Sequence, residues 1–140
     1  NKGEITFLKM ILYLASSFRM LYMAFKFESL RTWQLSMELA ERVNELADRF
    51  PRKELYNLSS QSRRAADSVS LNIAEGSTGQ SDPEQKKFLG YANRSIHEVV
   101  TCLFKAKRRN YIDASTFLDL YQQYEKLSIM VQSQILSLAS

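Results

Sequence analysis

Four stretches of this chain carry apolar residues every three or four positions, the spacing of a helix that buries one face. Almost nothing inside them could break a helix, since the 140 residues hold only four glycines and two prolines. The first runs from about Thr32 to Arg49, with Trp33, Met37, Ala40, Val43, Ala47 and Phe50 in phase. Leu35, Leu39 and Leu46 widen its stripe, and Pro51 marks the break after it. The second runs from about Lys53 to Glu75 and stops at Gly76, read as a residue suited to positive φ. A polar loop, GSTGQ, follows.

Ser81 is placed to cap the third stretch, with Glu84 completing a Ser-x-x-Glu capping box and Pro83 in the tolerant first turn. Phe88, Ala92, Ile96, Val99, Leu103 and Ala106 make its stripe, which fades near Asn110. Asp113 is placed to cap the fourth, whose stripe is Phe117, Leu120, Tyr124, Leu127, Val131 and Leu138. Tyr121 and Ile135 lie beside it. Short connections make sequential helices antiparallel. The expected fold is all-α, an up-down-up-down four-helix bundle over residues 26–140 preceded by an apolar extension over residues 1–25. No strand pattern and no repeat is visible.

One stretch strains the pattern. Residues 61–76, QSRRAADSVSLNIAEG, read as helix yet crowd arginines, serines and an asparagine where aliphatics are expected. At 100° per residue, Leu58, Ser62, Ala65, Val69, Asn72 and Ile73 share one face, with Ala66 at its edge. Small residues there admit a neighbouring helix closely. Asn72 on that face needs partners, sought in the loop after Gly76. Arg63 points away and is expected to pair with Asp67 at i+4 in solvent. Arg64, Ser68 and Glu75 lie along one flank, so the arginine doublet is split between two surfaces. Leu71 projects about 160° from the core centre, and Tyr56 and Ala74 lie on the same outer side. Tyr56, Arg63, Arg64, Leu71 and Ala74 are therefore the candidate subunit interface, with arginines fixing register.

Chemistry is thinly provided. The chain has one histidine, His97, and one cysteine, Cys102. A structural zinc site needs about four ligands, and a bundle di-iron site needs two Glu-x-x-His elements. Five residues turn His97 and Cys102 about 140° apart on a helix, a poor arrangement for a nucleophile and its base. No phosphate-binding glycine loop, dinucleotide fingerprint or nucleophile elbow occurs. The reading is no enzyme, no metal and no cofactor. A lone cysteine rules out an internal disulfide and fits a cytoplasmic location.

Residues 50–76, FPRKELYNLSSQSRRAADSVSLNIAEG, resemble the signature of the 23S rRNA-intervening-sequence proteins. The FP…E pair, the Q-x-R-R-A-A-x-S run and NIAEG fall in that family's order and spacing. Upstream, FESLRTWQLSMELA resembles the family's opening, with Leu30 and Trp33 in place. Downstream come Ser81, Glu84, Phe88, Leu89 and Ala92, then Ser95 and Glu98. The resemblance runs from about Phe27 to the C-terminus. It implies a homopentamer of four-helix bundles with no known catalysis. A more distant likeness, to the accessory variability determinant of diversity-generating retroelements, implies a basic pentamer that binds nucleic acid and a reverse transcriptase. This chain departs from the family at Gly79 and Gln80, where arginine is frequent, at Gln85, where an aromatic is common, and at Arg94, where glycine is usual.

The formal charge is +4. Setting residues 1–25 aside leaves 16 basic against 14 acidic side chains, which permits phosphate contact without demanding it. The basic cluster is KAKRRN at 105–110: Lys105, Arg108 and Arg109 share a face, with Lys107 nearby. Two readings stand, cations that suit a helix C-terminus and stay solvated, or an RNA-backbone patch multiplied by oligomerisation.

Residues 1–25 are strongly apolar, but their uncharged run from Met10 to Phe18 falls short of the roughly 20 residues that span a bilayer. The expectation is an extension upstream of Met23, forming an apolar helix that packs on the bundle or a neighbour. The functional expectation is a non-enzymatic, homo-oligomeric scaffold or adaptor touching RNA, with an unidentified protein partner. The alternative is a membrane-associated interaction protein held by its N-terminal segment.

Overall fold

The computed structural model describes the backbone of residues 1–21 and 24–139, with side chains described outside 17–23. Among these residues every regular element is helical: α1 (Lys2–Leu21), α2 (Arg31–Asp48), α3 (Leu58–Gly76), α4 (Asp82–Arg108) and α5 (Ala114–Ser137), with short 3-10 turns at Lys26–Ser29 and Arg52–Glu54. Helix α2 packs on α3, α3 on α4 and α4 on α5, and α5 closes the ring on α2. This is the up-down-up-down bundle that the apolar spacing predicts.

Leu39 and Val43 from α2, Val69 and Ile73 from α3, Leu89 and Val99 from α4, and Leu120 and Leu127 from α5 fill the interior. Each such side chain contributes about 1.5–3 kcal/mol by leaving water. The α2 stripe is rotated slightly from its expected phase. Met37 is exposed, while Thr32 and Ser36 are buried in its place. Both find acceptors, Thr32 on Gln134 Oε1 at 2.9 Å and Ser36 on the Trp33 carbonyl at 2.7 Å, so their burial leaves no hydroxyl unmet. Tyr124 is the exception: its ring is wholly buried, and its hydroxyl has no hydrogen-bond partner among the described residues. Burial holds that phenol far above its usual range.

The helix borders follow the sequence with three corrections. Ser81 accepts the Glu84 N–H at 3.3 Å, but Glu84 turns to Lys87 at 3.1 Å, so only half of the expected capping box forms. Asp113 accepts the Thr116 N–H at 2.7 Å, as its position predicts. Gly76 does not take positive φ; among the glycines Gly79 does, at 84°. What requires glycine at 76 is space, because a Cβ there would stand 2.9 Å from Phe88 Cβ. Helix α3 also starts later than Lys53. The chain makes a 3-10 turn, Asn57 leaves helical geometry, and the Glu54 carboxylate accepts the Leu58 N–H at 3.1 Å. The cap therefore comes from a residue ahead of the helix. Helix α4 is closed two residues past Arg108 by Asn110, where φ is 59°. There the Tyr111 N–H reaches the Ala106 carbonyl and the Asn110 N–H that of Lys107, at 2.9 and 3.0 Å, a Schellman closure.

Helix α1 forms as expected but does not pack on the bundle: residues 1–16 are all exposed. Among the described residues no helix is long and apolar enough to cross a membrane.

Candidate functional site

Helix α3 sorts its polar residues between two seams and an outer ridge. On the α2 side, Ser59 donates to the Ala47 carbonyl at 3.2 Å, and Arg63 reaches Asn44 Oδ1 at 3.0 Å and pairs with Asp48. The expected Arg63–Asp67 pair does not form, because α2 offers two acceptors across the seam. On the α4 side, Ser95 donates to Ser68 Oγ at 2.9 Å, and Asn72 donates to the same Ser68, to its carbonyl at 2.8 Å. Asn72 is thus satisfied one turn back in its own helix, not by the loop after Gly76. The outer ridge keeps Arg64 and Leu71 in solvent. Leu71 is 66% exposed and Tyr56 93%, while Ala74 is half-buried. Of the candidate interface residues, the structure leaves Tyr56, Arg64 and Leu71 facing outward and ties Arg63 to α2.

The basic cluster is likewise divided. Arg109 meets Glu54 at 3.3 Å, and Lys107 lies over the Phe117 ring at 4.6 Å. Glu54 is a hub that the apolar pattern does not reveal. Only 6% exposed, it accepts the Leu58 N–H, the Asn57 amide at 3.2 Å, Arg109 and the Tyr111 hydroxyl at 3.2 Å. It ties the α2–α3 connection to the α4–α5 connection. The visible signal was the acid of the FP…E pair; that Arg109 serves it depends on two loops meeting in space. Lys105 and Arg108 remain exposed, and among the described residues neither pairs with an acid.

Lys105 does not stand alone. It lines a groove of about 580 Å³ between α3 and α4, together with Gln61 and Arg64 from α3 and His97, Glu98 and Thr101 from α4. Cys102 and Ala65 form part of its wall. The antiparallel register of the two helices, anchored at Ser68–Ser95, is what brings Arg64 and Lys105 to one cleft. His97 Nδ1 sits 2.7 Å from the Asn93 carbonyl, to which it donates. Cys102 is buried, and that burial pushes its thiol up, with the Ser62 hydroxyl pulling the other way. No hydrogen bond joins His97 to Cys102 among the described residues. A raised thiol pKa makes a poor nucleophile. Among the described residues no group of three or more His, Cys, Asp or Glu side chains could hold a metal ion. What the groove can do is bind, through two cations, an amide, a hydroxyl and an imidazole.

Residues 28–133 match the family described as 23S rRNA-intervening sequence protein. A solved structure from Bacteroides thetaiotaomicron, described as a protein with unknown function from the S23 ribosomal protein family, superimposes with a TM-score of 0.70 at 21% identity. The match covers 76% of this chain and 96% of that one, and at that identity it speaks for the fold. No curated protein matches.

Proposed function

Because the chain belongs to the 23S rRNA-intervening sequence protein family, we propose that it works without catalysis, as a homo-oligomeric scaffold whose subunits meet through the outer ridge of α3. Leu71 carries this reading. It stands 66% exposed on a helix whose opposite face is filled, so the bundle's own interior does not use it. Tyr56, 93% exposed just ahead of α3, is a second apolar side chain that the core does not use, while Arg64 turns to the groove beside α4 and stays outside this contact. A single exposed leucine needs no explanation; a leucine and a tyrosine that the bundle's interior does not use suit a subunit contact with an aromatic anchor. The pentameric state comes from the family resemblance. Leu71→Glu should dissociate the oligomer while leaving helix content unchanged, since glutamate suits a solvated helix. Light scattering and circular dichroism on one sample check both halves. An oligomer that survives the substitution removes α3 from the contact.

A second activity, contact with RNA, is supported by Arg64, Lys105 and Arg108, cations that no acid neutralises among the described residues. The family's description supplies the motive. Such binding is sequence-tolerant and falls with salt, because it rests on phosphate contacts. Anisotropy of a labelled oligonucleotide at several salt concentrations measures it.

A further inference from the structure

We propose that the groove between α3 and α4 holds a phosphate of single-stranded RNA, with Arg64 and Lys105 as its two clamps; this rests on the RNA-contact reading above. The two cations come from different helices yet line one cleft of about 580 Å³, a size that suits a nucleotide-scale ligand. Neither pairs with an acid among the described residues. Glu98 is the one acid among the groove's lining residues, so two cations face one carboxylate and the cleft keeps a positive excess. Arg64 brings a planar fork of donors that matches phosphate oxygens, and Lys105 a mobile point charge.

The remaining lining suits ribose and base. The Thr101 hydroxyl spends its hydrogen on the His97 carbonyl at 2.8 Å, which leaves its oxygen free to accept from a 2′-hydroxyl. His97 is exposed and offers a ring on which a base can stack. Outside the cleft, Arg94 and Arg108 lie within about 60° of Lys105 on the α4 wheel, and both are exposed. A strand leaving the groove therefore meets further cations along the same face. The KAKRRN cluster is not the unit of binding in this arrangement, since Arg109 and Lys107 are occupied within the chain.

The test uses a fluorescein-labelled oligouridylate and the full chain, with anisotropy read across a salt series. Arg64→Ser with Lys105→Ser should weaken binding by roughly tenfold at low salt and flatten the log–log salt slope by about 1.4, two contacts at about 0.7 each. Both residues are exposed, so circular dichroism should show an unchanged fold. Arg49→Ser with Arg52→Ser, an equal charge loss on exposed residues at the end of the bundle, should leave the slope unchanged. Equal losses in the two double variants would mean that only overall charge matters, which overturns the groove and leaves RNA contact standing. Binding by the groove variant with its slope intact has the same consequence. No binding by the unsubstituted protein at low salt would overturn the RNA reading itself, and the groove with it.

Discussion

Helices α1 and α3 are nearly equal in length, 20 and 19 residues, and opposite in composition and in fate. Helix α1 is the apolar one, with Ile5, Phe7, Leu8, Ile11 and Leu12 among its residues, and all of these are exposed. Helix α3 carries five serines, two arginines and an asparagine, yet it sits between α2 and α4 and buries its whole inner face. Apolar content alone does not bury a helix. What α3 has is phase and size: Ala65, Ala66, Val69 and Ile73 fall on one side, and its small residues let two neighbours approach. Its hydroxyls reach carbonyls or one another, so their burial costs little. In α1 the apolar residues spread around the whole helix, with Lys2 and Lys9 on one side and Glu4 on the other, and the four-helix core is closed without it.

The same substitution in both helices tests this contrast most severely. Val69→Asp places an unpaired carboxylate at a wholly buried position and should cost more than about 4 kcal/mol, enough to abolish cooperative folding. Leu12→Asp, at a position 69% exposed, should stay within about 0.5 kcal/mol. Removing residues 1–23 should likewise leave a cooperative melt and unchanged helical signal per residue in the bundle. A large loss at Leu12, or a molten truncated chain, would show that α1 is buried in the assembled protein.

Glu54→Ala comes next in size, because it leaves the Leu58 N–H unmet and Arg109 without its buried partner. Denaturant melts should lose about 2–3 kcal/mol, and Glu54→Gln, which keeps an acceptor oxygen, should lose less. Equal losses would show that the charge, not the cap of α3, is what matters. Tyr124→Phe sharpens the contrast from the other side. The buried α3 serines are bonded but the Tyr124 hydroxyl is not, so removing it should stabilise the bundle by about 1 kcal/mol. A destabilised variant would reveal a partner for the hydroxyl in the assembled protein.

The smallest effect concerns Asp113. The Thr116 N–H lowers its carboxyl below the usual range. Its contribution is therefore present above the unfolded value near pH 3.9 and is lost as pH falls through the lower folded value. Asp113→Asn keeps a capping oxygen but does not titrate. Melting temperatures of the variant should fall less steeply below about pH 4 than those of the parent.

Much of the bundle is legible in the sequence alone. The four stripes, the Ser81 and Asp113 caps, the split of the Arg63–Arg64 doublet and the exposure of Leu71 all follow from helical phase, which is a local property. Helical spacing favours Asp67 for Arg63, yet two acceptors on α2 stand across the seam, while Asn72 is met within its own helix at Ser68. Asp48 lies 15 residues from Arg63, and Glu54 lies 55 from Arg109. The groove is not legible in the sequence, since Arg64 and Lys105 meet only once α3 and α4 are set antiparallel in a definite register.

Sequence by itself determined where helices form, which face of each turns inward and where most of them stop, because periodicity, caps and breakers act within a few residues. Tertiary structure alone decided which polar groups pair. It set Gly76 against Phe88, made Glu54 the clamp between two loops and took Arg109 and Lys107 out of the basic cluster. It also brought Arg64 and Lys105 to one cleft. A charged side chain pairs with whatever acceptor the packing brings within a few ångströms, and that packing is set by how all four helices fill one core.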